Sequence, residues 1–508
     1  MNSALIARLR DDLAAARYGV ETLTALWGVE ADAGLFRGQR VPALRGLENS
    51  VAPAARLARA FVLGLAVERG ALEAALPSLG VDGAIELGLV ELVEGSSDAA
   101  PVLRPLLDLR PYSFVDAHGA SEFTIASDLG ELALGHAIPP HHVLGVGGAS
   151  MTLSGLMIDE PVDSVLDLGT GCGIQALHAA RHARRVVATD ISQRALDLAA
   201  LNAQLNGIDS IEFRLGSLFE PVAGERFDQI VSNPPFVITP RVDGVPAYEY
   251  RDGGLVGDAL VAQVVQDAAE HLAPGGVAQL LGNWEYRGGV DAFDRLDGWL
   301  DGTGLDAWIV EREVQSVEQY AETWIRDGGT RSGTAEFDRL YGAWLDDFAA
   351  RGVTRVGFGY MTLRMPERGS PTLRRLERLD GPLGNDSHGS HIAATLRAHD
   401  WLTTVGEEGL ADARLTLAGD VTEERHYWPG DEHPTVMTLR QGGGFARSLP
   451  LDTAVAALVG ACDGELSIRA IAGAIAELLD VDGGALLEEL LPSVRELVLA
   501  GVLLSPAE

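Results

Sequence analysis

Two short segments carry residue types that bind and react rather than merely pack. The apolar run SVLDLG ends at Asp167-Leu168-Gly169, continues through Thr170-Gly171-Cys172-Gly173 and opens into IQALHAARHA. Glycines at alternate positions let the backbone approach a ligand at the carboxyl end of a strand, and let a helix start there without a side-chain clash. GTGCG lacks the two-residue gap of GxGxxG, so pyrophosphate is not its natural ligand. Further on, RRVVATD ends in Asp190, followed by Ile191. A carboxylate at such an edge can accept hydrogen bonds from both hydroxyls of a ribose, which points to an adenosine-containing ligand.

The second segment is Ser232-Asn233-Pro234-Pro235-Phe236. Its prolines remove two backbone donors and fix φ, leaving the Pro234 carbonyl beside the Asn233 amide oxygen as a pair of acceptors. Such a pair suits an NH2 group on a planar carbon: a glutamine amide, adenine N6 or guanine N2. The lone pair of that nitrogen is delocalised, so the site must hold both N–H groups and favour pyramidal geometry as the new bond forms. No strong base is needed, because the proton can leave once transfer has made it acidic. Positioning for in-line attack can supply about 7–11 kcal/mol. Phe236 would stack on the planar group or shield it from water.

Together these segments resemble the class I S-adenosylmethionine-dependent methyltransferases, through Asp167, Gly169, Gly171 and Gly173 in the first motif and Asp190 in the second. The resemblance implies that the glycine turn lies against the methionine part of S-adenosyl-L-methionine and that Asp190 holds its ribose. Asn-Pro-Pro-Phe resembles the motif shared by protein glutamine N5-methyltransferases and amino-methylating RNA and DNA enzymes. The expected catalytic set is Asn233, Pro234, Pro235 and Phe236. The expected cofactor contacts are Asp167, Gly169, Thr170, Gly171, Gly173, Asp190, Ile191, Ser217, Leu218, Asn233 and Ser150. Ser217, in RLGSLFEPV, stands where many relatives carry an Asp at the adenine edge.

Flanking segments could complete the site. In HHVLGVGGASMTLSGLM a lid over the methionine end would offer backbone N–H groups of Gly-Gly-Ala-Ser to a carboxylate, with Ser150 or Thr152 assisting. The alternative is a simple loop. PAYEYRDGGLVGDALV brings Tyr248, Tyr250 and Arg251, as a mobile flap over the substrate or an ordinary surface loop. His141-His142 and the pair His178/His182 have metal-ligand spacing but no third ligand, and read as helix-surface histidines, so no metal is expected. Trp284 and Glu285 follow the fifth strand and either line the cleft or pack.

These residues need a scaffold that brings strand ends together. SVLDLG, RRVVATD, IEFRLG, FDQIVSN and GVAQLLGN alternate with helix-length segments, which predicts a doubly wound parallel sheet. DAWIVEREV and, after a helical stretch with Tyr320 and Trp324, RVGFGYMTLRM supply two more strands, the last antiparallel and inserted beside its predecessor. The predicted core is thus a seven-stranded Rossmann-like methyltransferase domain over 126–365. Residues 1–125 read as mostly helical, with ARLARAFVLGLA amphipathic, then a helix from Gly80, a Gly88 stop and two strand-like runs around a Ser/Gly/Asp turn. Residues 366–508 end in two helices, a Gly501 stop and a final strand, after a turn-rich linker over 366–390. Both flanking domains are consistent with winged helices, which serve docking as readily as DNA binding.

Composition narrows the acceptor. The chain has 508 residues, 47% apolar and 22% charged, too long for one core and without an apolar stretch fit to span a membrane. Arg8, Arg10, Asp11 and Asp12 sit where a secretory signal would be apolar, so a cytoplasmic protein is expected. Cys172 and Cys462 are too few for a disulfide framework. With 73 acids, 39 arginines and no lysine, the net charge is −34. A polyanion repels phosphate backbones unless its cations are gathered. The Arg groups at 37/40/45, 181/184/185 and 374/375/378 lie among acids, and residues 1–125 and 366–508 hold 11 Arg each against 16 and 23 acids. A protein glutamine therefore ranks first as acceptor, a nucleobase amino group second and a small metabolite third. The reading from another class is a non-catalytic cofactor-binding scaffold.

Overall fold

In the computed structural model, residues 2–93, 102–135, 138–246, 248, 250–381, 383–384 and 388–506 are described. The Ser/Gly/Asp turn expected near the amino-terminal strands lies outside them. The chain forms two compact units: Met1–Ser154 with Glu160–Pro371, and Gly155–Asp159 with Thr372–Glu508.

The first unit begins with helices, among them Pro53–Phe61, whose apolar face at Leu57, Ala58 and Phe61 is fully buried. Strand β1 (Val67–Glu68), helices Arg69–Ala75 and Gly80–Glu86, and strands β2 (Val90–Val93) and β3 (Val102–Pro105) follow, with sheet order β1-β3-β2. The chain turns out of the Gly80–Glu86 helix at Gly88 (φ 69°), where a left-handed residue stops the helix. A long hairpin, β4 (Leu107–Asp116) and β5 (Gly119–Asp128), comes next. Only its first half was visible as a strand-like run in the sequence.

The large mixed sheet is built from β6 (Val162–Leu168), β7 (Ala183–Asp190), β8 (Ile211–Leu215), β9 (Phe227–Ser232), β10 (Leu272–Arg287), β11 (Asp306–Ser316) and β12 (Val353–Arg364). Within this unit the order is β11-β12-β10-β9-β6-β7-β8. The first five strands in sequence pair in parallel, and β12 lies antiparallel between β10 and β11, as the inserted-strand reading requires. Strand order reverses between β6 and β9, so the carboxyl ends of these neighbours diverge into a crevice, the usual ligand position in such sheets.

One hydrophobic core crosses the border drawn at 125/126. Leu9, Leu57, Leu63, Leu109 and Ile125 belong to the same buried cluster as Ile174, Leu177, Leu198 and Leu201 from helices that cover the sheet. A second cluster packs Val237 and Ile238 against Tyr320, Trp344 and Phe348.

In the second unit, Arg374–Arg378 is a strand within the stretch read as linker, paired through Arg375 with Glu377. The helix His388–Asp412 breaks at Gly406 (φ 65°). A three-stranded antiparallel sheet (Val421–His426, Val436–Gln441, Ser448–Leu451) precedes helices Thr453–Gly460, Ile468–Leu479 and Gly483–Leu499. Asp452, Ser467 and Asp482 cap these helices, each accepting a backbone N–H, an arrangement worth about 1 kcal/mol apiece. The closing strand Leu503–Leu504 pairs with Thr416–Leu417. Among the described residues, no helix is long and apolar enough to cross a membrane.

Candidate active site

Register places the two motifs side by side. Leu168, the last residue of β6, is opposite Ser232, the last of β9, and the Ser232 hydroxyl donates to the Leu168 carbonyl at 2.7 Å. Gly169 and Asn233 therefore leave adjacent strand ends.

The glycine turn is held from below and open above. Gly169 and Thr170 donate backbone N–H bonds to the Thr189 carbonyl at the end of β7. Gly169, Gly171 and Gly173 all have positive φ, and side chains added at Gly169 or Gly171 would meet nothing within 4 Å. Gly173 differs: a Cβ there would sit 2.9 Å from Ala199, so this glycine serves close helix packing. The Asp190 carboxylate accepts the Gly171 N–H at 2.9 Å and the Ser192 N–H at 2.8 Å. A carboxylate offers about four lone-pair sites, the kind of acceptor that suits hydroxyl donors.

Asp167 lies beneath the turn. One oxygen accepts from the Thr170 hydroxyl at 2.5 Å and the Ala176 N–H at 2.9 Å; the other is buried without a partner. Burial pushes its carboxyl up to about 7. Asp167 and the Thr170 hydroxyl thus shape the turn from inside. Ile191 is exposed just past β7, while Ser217 and Leu218 follow β8, Leu218 in a left-handed conformation (φ 46°).

Asn233 presents a side-chain oxygen that is buried and unpartnered. Pro234 is buried, and Phe236 forms an isolated bridge to Asp252. The Phe236 ring stands 5.6 Å from Phe358 and 6.4 Å, edge-on, from Trp324. Behind it, the Ile238 N–H donates to the Tyr320 hydroxyl at 3.0 Å, and Asn283 donates to the same oxygen at 2.6 Å. This anchor was missed in the sequence, because Tyr320 is 82 residues from Ile238.

Several expectations change. The Gly-Gly-Ala-Ser run is not a loop: Gly148–Leu156 is helical, and Ser150 meets the glycine-turn helix through its carbonyl, which accepts from Gln175 at 2.8 Å. Small residues conceal a helix that propensity alone would not favour. The flap reading fails for Arg251, which is buried and donates to the Trp324 carbonyl and the Asp327 carboxylate, while the Tyr248 hydroxyl donates to the Gly328 carbonyl. Trp284 and Glu285 lie inside β10, fully buried. Trp284 donates to Glu311 at 2.6 Å and Glu285 pairs with Arg287 and Arg351, so both are packing residues. His178 and His182 are buried rather than surface groups: His178 sits among Tyr112, Phe114 and Phe123, its pKa pushed down by burial to about 4, and His182 bonds Gln229 at 2.8 Å.

Another residue missed by sequence reading is Asn202. Fully buried on the helix after β7, it accepts the Ala126 N–H at 2.7 Å and donates to the Ala126 and Cys172 carbonyls at 2.9 and 2.8 Å. Asn206, one turn on, exchanges two such bonds with Thr124. The signal was Asn at i, i+4 in LNAQLNG.

Comparison with known proteins agrees with this geometry. Residues 147–288 match the methyltransferase small domain family, and residues 15–100 and 393–505 match two domains of unknown function. The chain is 39% identical over 135 residues to the ribosomal protein uL3 glutamine methyltransferase of Bradyrhizobium diazoefficiens, covering 24% of this chain and 42% of that protein. It is 40% identical over 134 residues to the release factor glutamine methyltransferase of Xylella fastidiosa, covering 25% and 49%. The match thus spans about half the length of these relatives or less. A solved ribosomal protein L11 methylase from Lactobacillus delbrueckii aligns over 47% of this chain and 83% of its own at 19% identity, with a TM-score of 0.25, too low to carry weight.

Proposed function

We propose that this protein is a class I S-adenosylmethionine-dependent N-methyltransferase whose acceptor is the side-chain amide of a glutamine in a protein. The observation that carries this reading is the buried, unpartnered Asn233 oxygen, on the strand end next to an open glycine turn. Relatives named as glutamine methyltransferases of a release factor and a ribosomal protein support the same acceptor class.

The residues present fit the methyl donor. Gly169 and Gly171 leave the space that a methionine chain needs, Asp190 offers oxygens to ribose hydroxyls, and Ile191, Ser217 and Leu218 border the adenine edge. Thr170 and Asp167 act from within the turn, and Ser150 through its helix. When bound, the donor supplies an electrophilic sulfonium methyl. The chain's own part is positional. Asn233 and the Pro234 carbonyl accept the two N–H bonds of the acceptor, Pro235 stiffens the turn, and Phe236 walls off water. With the donor bound, these contacts would hold the acceptor nitrogen in line with that methyl and keep both of its N–H groups paired until one proton is given up after transfer.

For the flanking parts we keep a division into 1–125, 126–365 and 366–508. The order β1-β3-β2 around two short helices supports a winged helix at the amino end. The three capped helices closed by Leu503–Leu504 support a related module at the other. Each serves docking of a partner.

The test is methyl transfer from labelled S-adenosylmethionine to a ribosomal extract. Label that survives nuclease and is lost to protease is expected; label lost to nuclease would overturn the acceptor class. Asn233→Ala should reduce transfer at least 100-fold, the scale for removing one polar group aimed at the reacting centre, with donor binding little changed. Asp190→Asn should weaken donor binding instead.

A further inference from the structure

The aromatic cluster around Phe236, three residues from Asn233, holds two buried donors. Trp324 Nε1 and Arg251 Nε both lie out of solvent with no hydrogen-bond partner, as does the Asn233 oxygen. They belong to one assembly. Arg251 donates to the Trp324 carbonyl at 2.9 Å, and its guanidinium lies 5.8 Å from the Trp324 ring, which faces Phe236 edge-on. A buried indole N–H left unsatisfied is costly, and the fold leaves it so in the cluster that contains Phe236, three residues from the equally unsatisfied Asn233 oxygen.

We infer that Trp324 is a specificity-determining residue, its indole N–H donating to the carbonyl oxygen of the acceptor carboxamide while Asn233 and Pro234 accept from its nitrogen. A primary carboxamide has two N–H donors and one carbonyl acceptor, and the cluster presents the complement of both. A carboxylate would place an oxygen against the Asn233 oxygen and be rejected. Trp324 was legible in the sequence only as a residue of a helical stretch. Val317–Asp327 carries it, and the pinning of that helix to Tyr248 and Arg251 holds it in place. This inference rests on the methyltransferase reading for its acceptor but has its own readout.

Protein labelled with 15N-tryptophan, with S-adenosylhomocysteine bound, gives a Trp324 indole resonance identified by its loss in Trp324→Phe. N-acetylglutamine amide should move that resonance downfield, and N-acetylglutamate and adenosine should not. Transfer to the protein acceptor should fall about 10–100-fold in Trp324→Phe with donor affinity unchanged, and recover in part in Trp324→His, which keeps a ring N–H. A resonance that stays still with the amide, or moves with adenosine instead, overturns the inference. So does a Trp324→Phe variant with wild-type transfer. Failure of the functional reading would look different: Asn233→Ala would transfer normally, whatever the Trp324 resonance does.

Discussion

Asn202 is the residue by which the amino-terminal hairpin and the glycine turn share one support, and Asn202→Ala tests that link. The substitution removes three hydrogen bonds and leaves the Ala126 N–H, the Ala126 carbonyl and the Cys172 carbonyl without partners in a fully buried setting. Each stranded group costs about 1–3 kcal/mol, and the cavity left by an amide is small enough to relax, so a total of about 4 kcal/mol is expected. Unfolding entropy near 2 cal/mol/K per residue gives about 0.7 kcal/mol/K for a cooperative unit of roughly 350 residues, hence a fall in Tm of about 5–6 °C. Calorimetry measures this directly. Gln193→Ala on the same helix is the control, since it removes only an exposed bond to Asp197 and should shift Tm by less than 1 °C. Because the Cys172 carbonyl belongs to the turn, S-adenosylmethionine affinity should fall several-fold in the same variant. If Asn202→Ala melted with the control, the buried amide would not be coupling hairpin to turn, and the core shared across residue 125 would have to do so alone.

Other expectations follow from individual groups. Asp167 is raised to about 7 in the fold against about 4 unfolded, so the folded state binds more protons between these values and its contribution falls as pH rises from 4 to 7, then stays level. Asp167→Asn should flatten that slope, gaining stability relative to wild type at pH 8 over pH 5 by at most about 3 kcal/mol; urea melts across this range check it, and parallel curves would refute it. Tyr320→Phe strips the Ile238 N–H and Asn283 of their shared acceptor and should lower kcat about tenfold with little change in donor affinity, read from single-turnover transfer. Trp284→Phe removes the indole donor from the buried Glu311, and should destabilise by about 2 kcal/mol without altering kcat in the surviving folded protein.

How far the sequence reached depended on the range of each signal. The five parallel strands were legible because each ends in small or polar residues at a sheet edge, and the antiparallel insertion of β12 because two apolar runs remained after a helix. That Gly169 and Asn233 leave strand ends was legible because each motif closes an apolar run within a few residues. The supports were not. Tyr320, Asn202 and Arg251 act on backbone groups 76–82 residues away or, for Arg251, on a helix 73 residues on, and no local pattern marks such a pairing. The segment holding the Gly148–Leu156 helix was read as a lid, with a simple loop as the alternative, because Gly-Gly-Ala-Ser is a poor helix former; in the fold the helix is tied down by the Gln175 bond to the Ser150 carbonyl.

Charge carries a further consequence for the acceptor. Members of two of the three arginine groups considered for nucleic acid are engaged by acids in the fold. Arg181 pairs with Asp116, Arg184 with Asp163, Arg185 with Glu212 and Glu225, and Arg375 with Glu377. At these arginines a phosphate would have to displace an acid already in place and remain beside it, which removes most of the gain that counterion release supplies there. A basic protein gains from the same acids without displacing anything, and long-range attraction raises its encounter rate in a salt-dependent way. The acceptor reaction should therefore slow as ionic strength rises through kcat/KM while kcat holds, because steering acts before the Asn233 oxygen meets its amide. A rate insensitive to salt would leave the net charge of −34 without a part in substrate choice and return the decision to the side chains around Asn233.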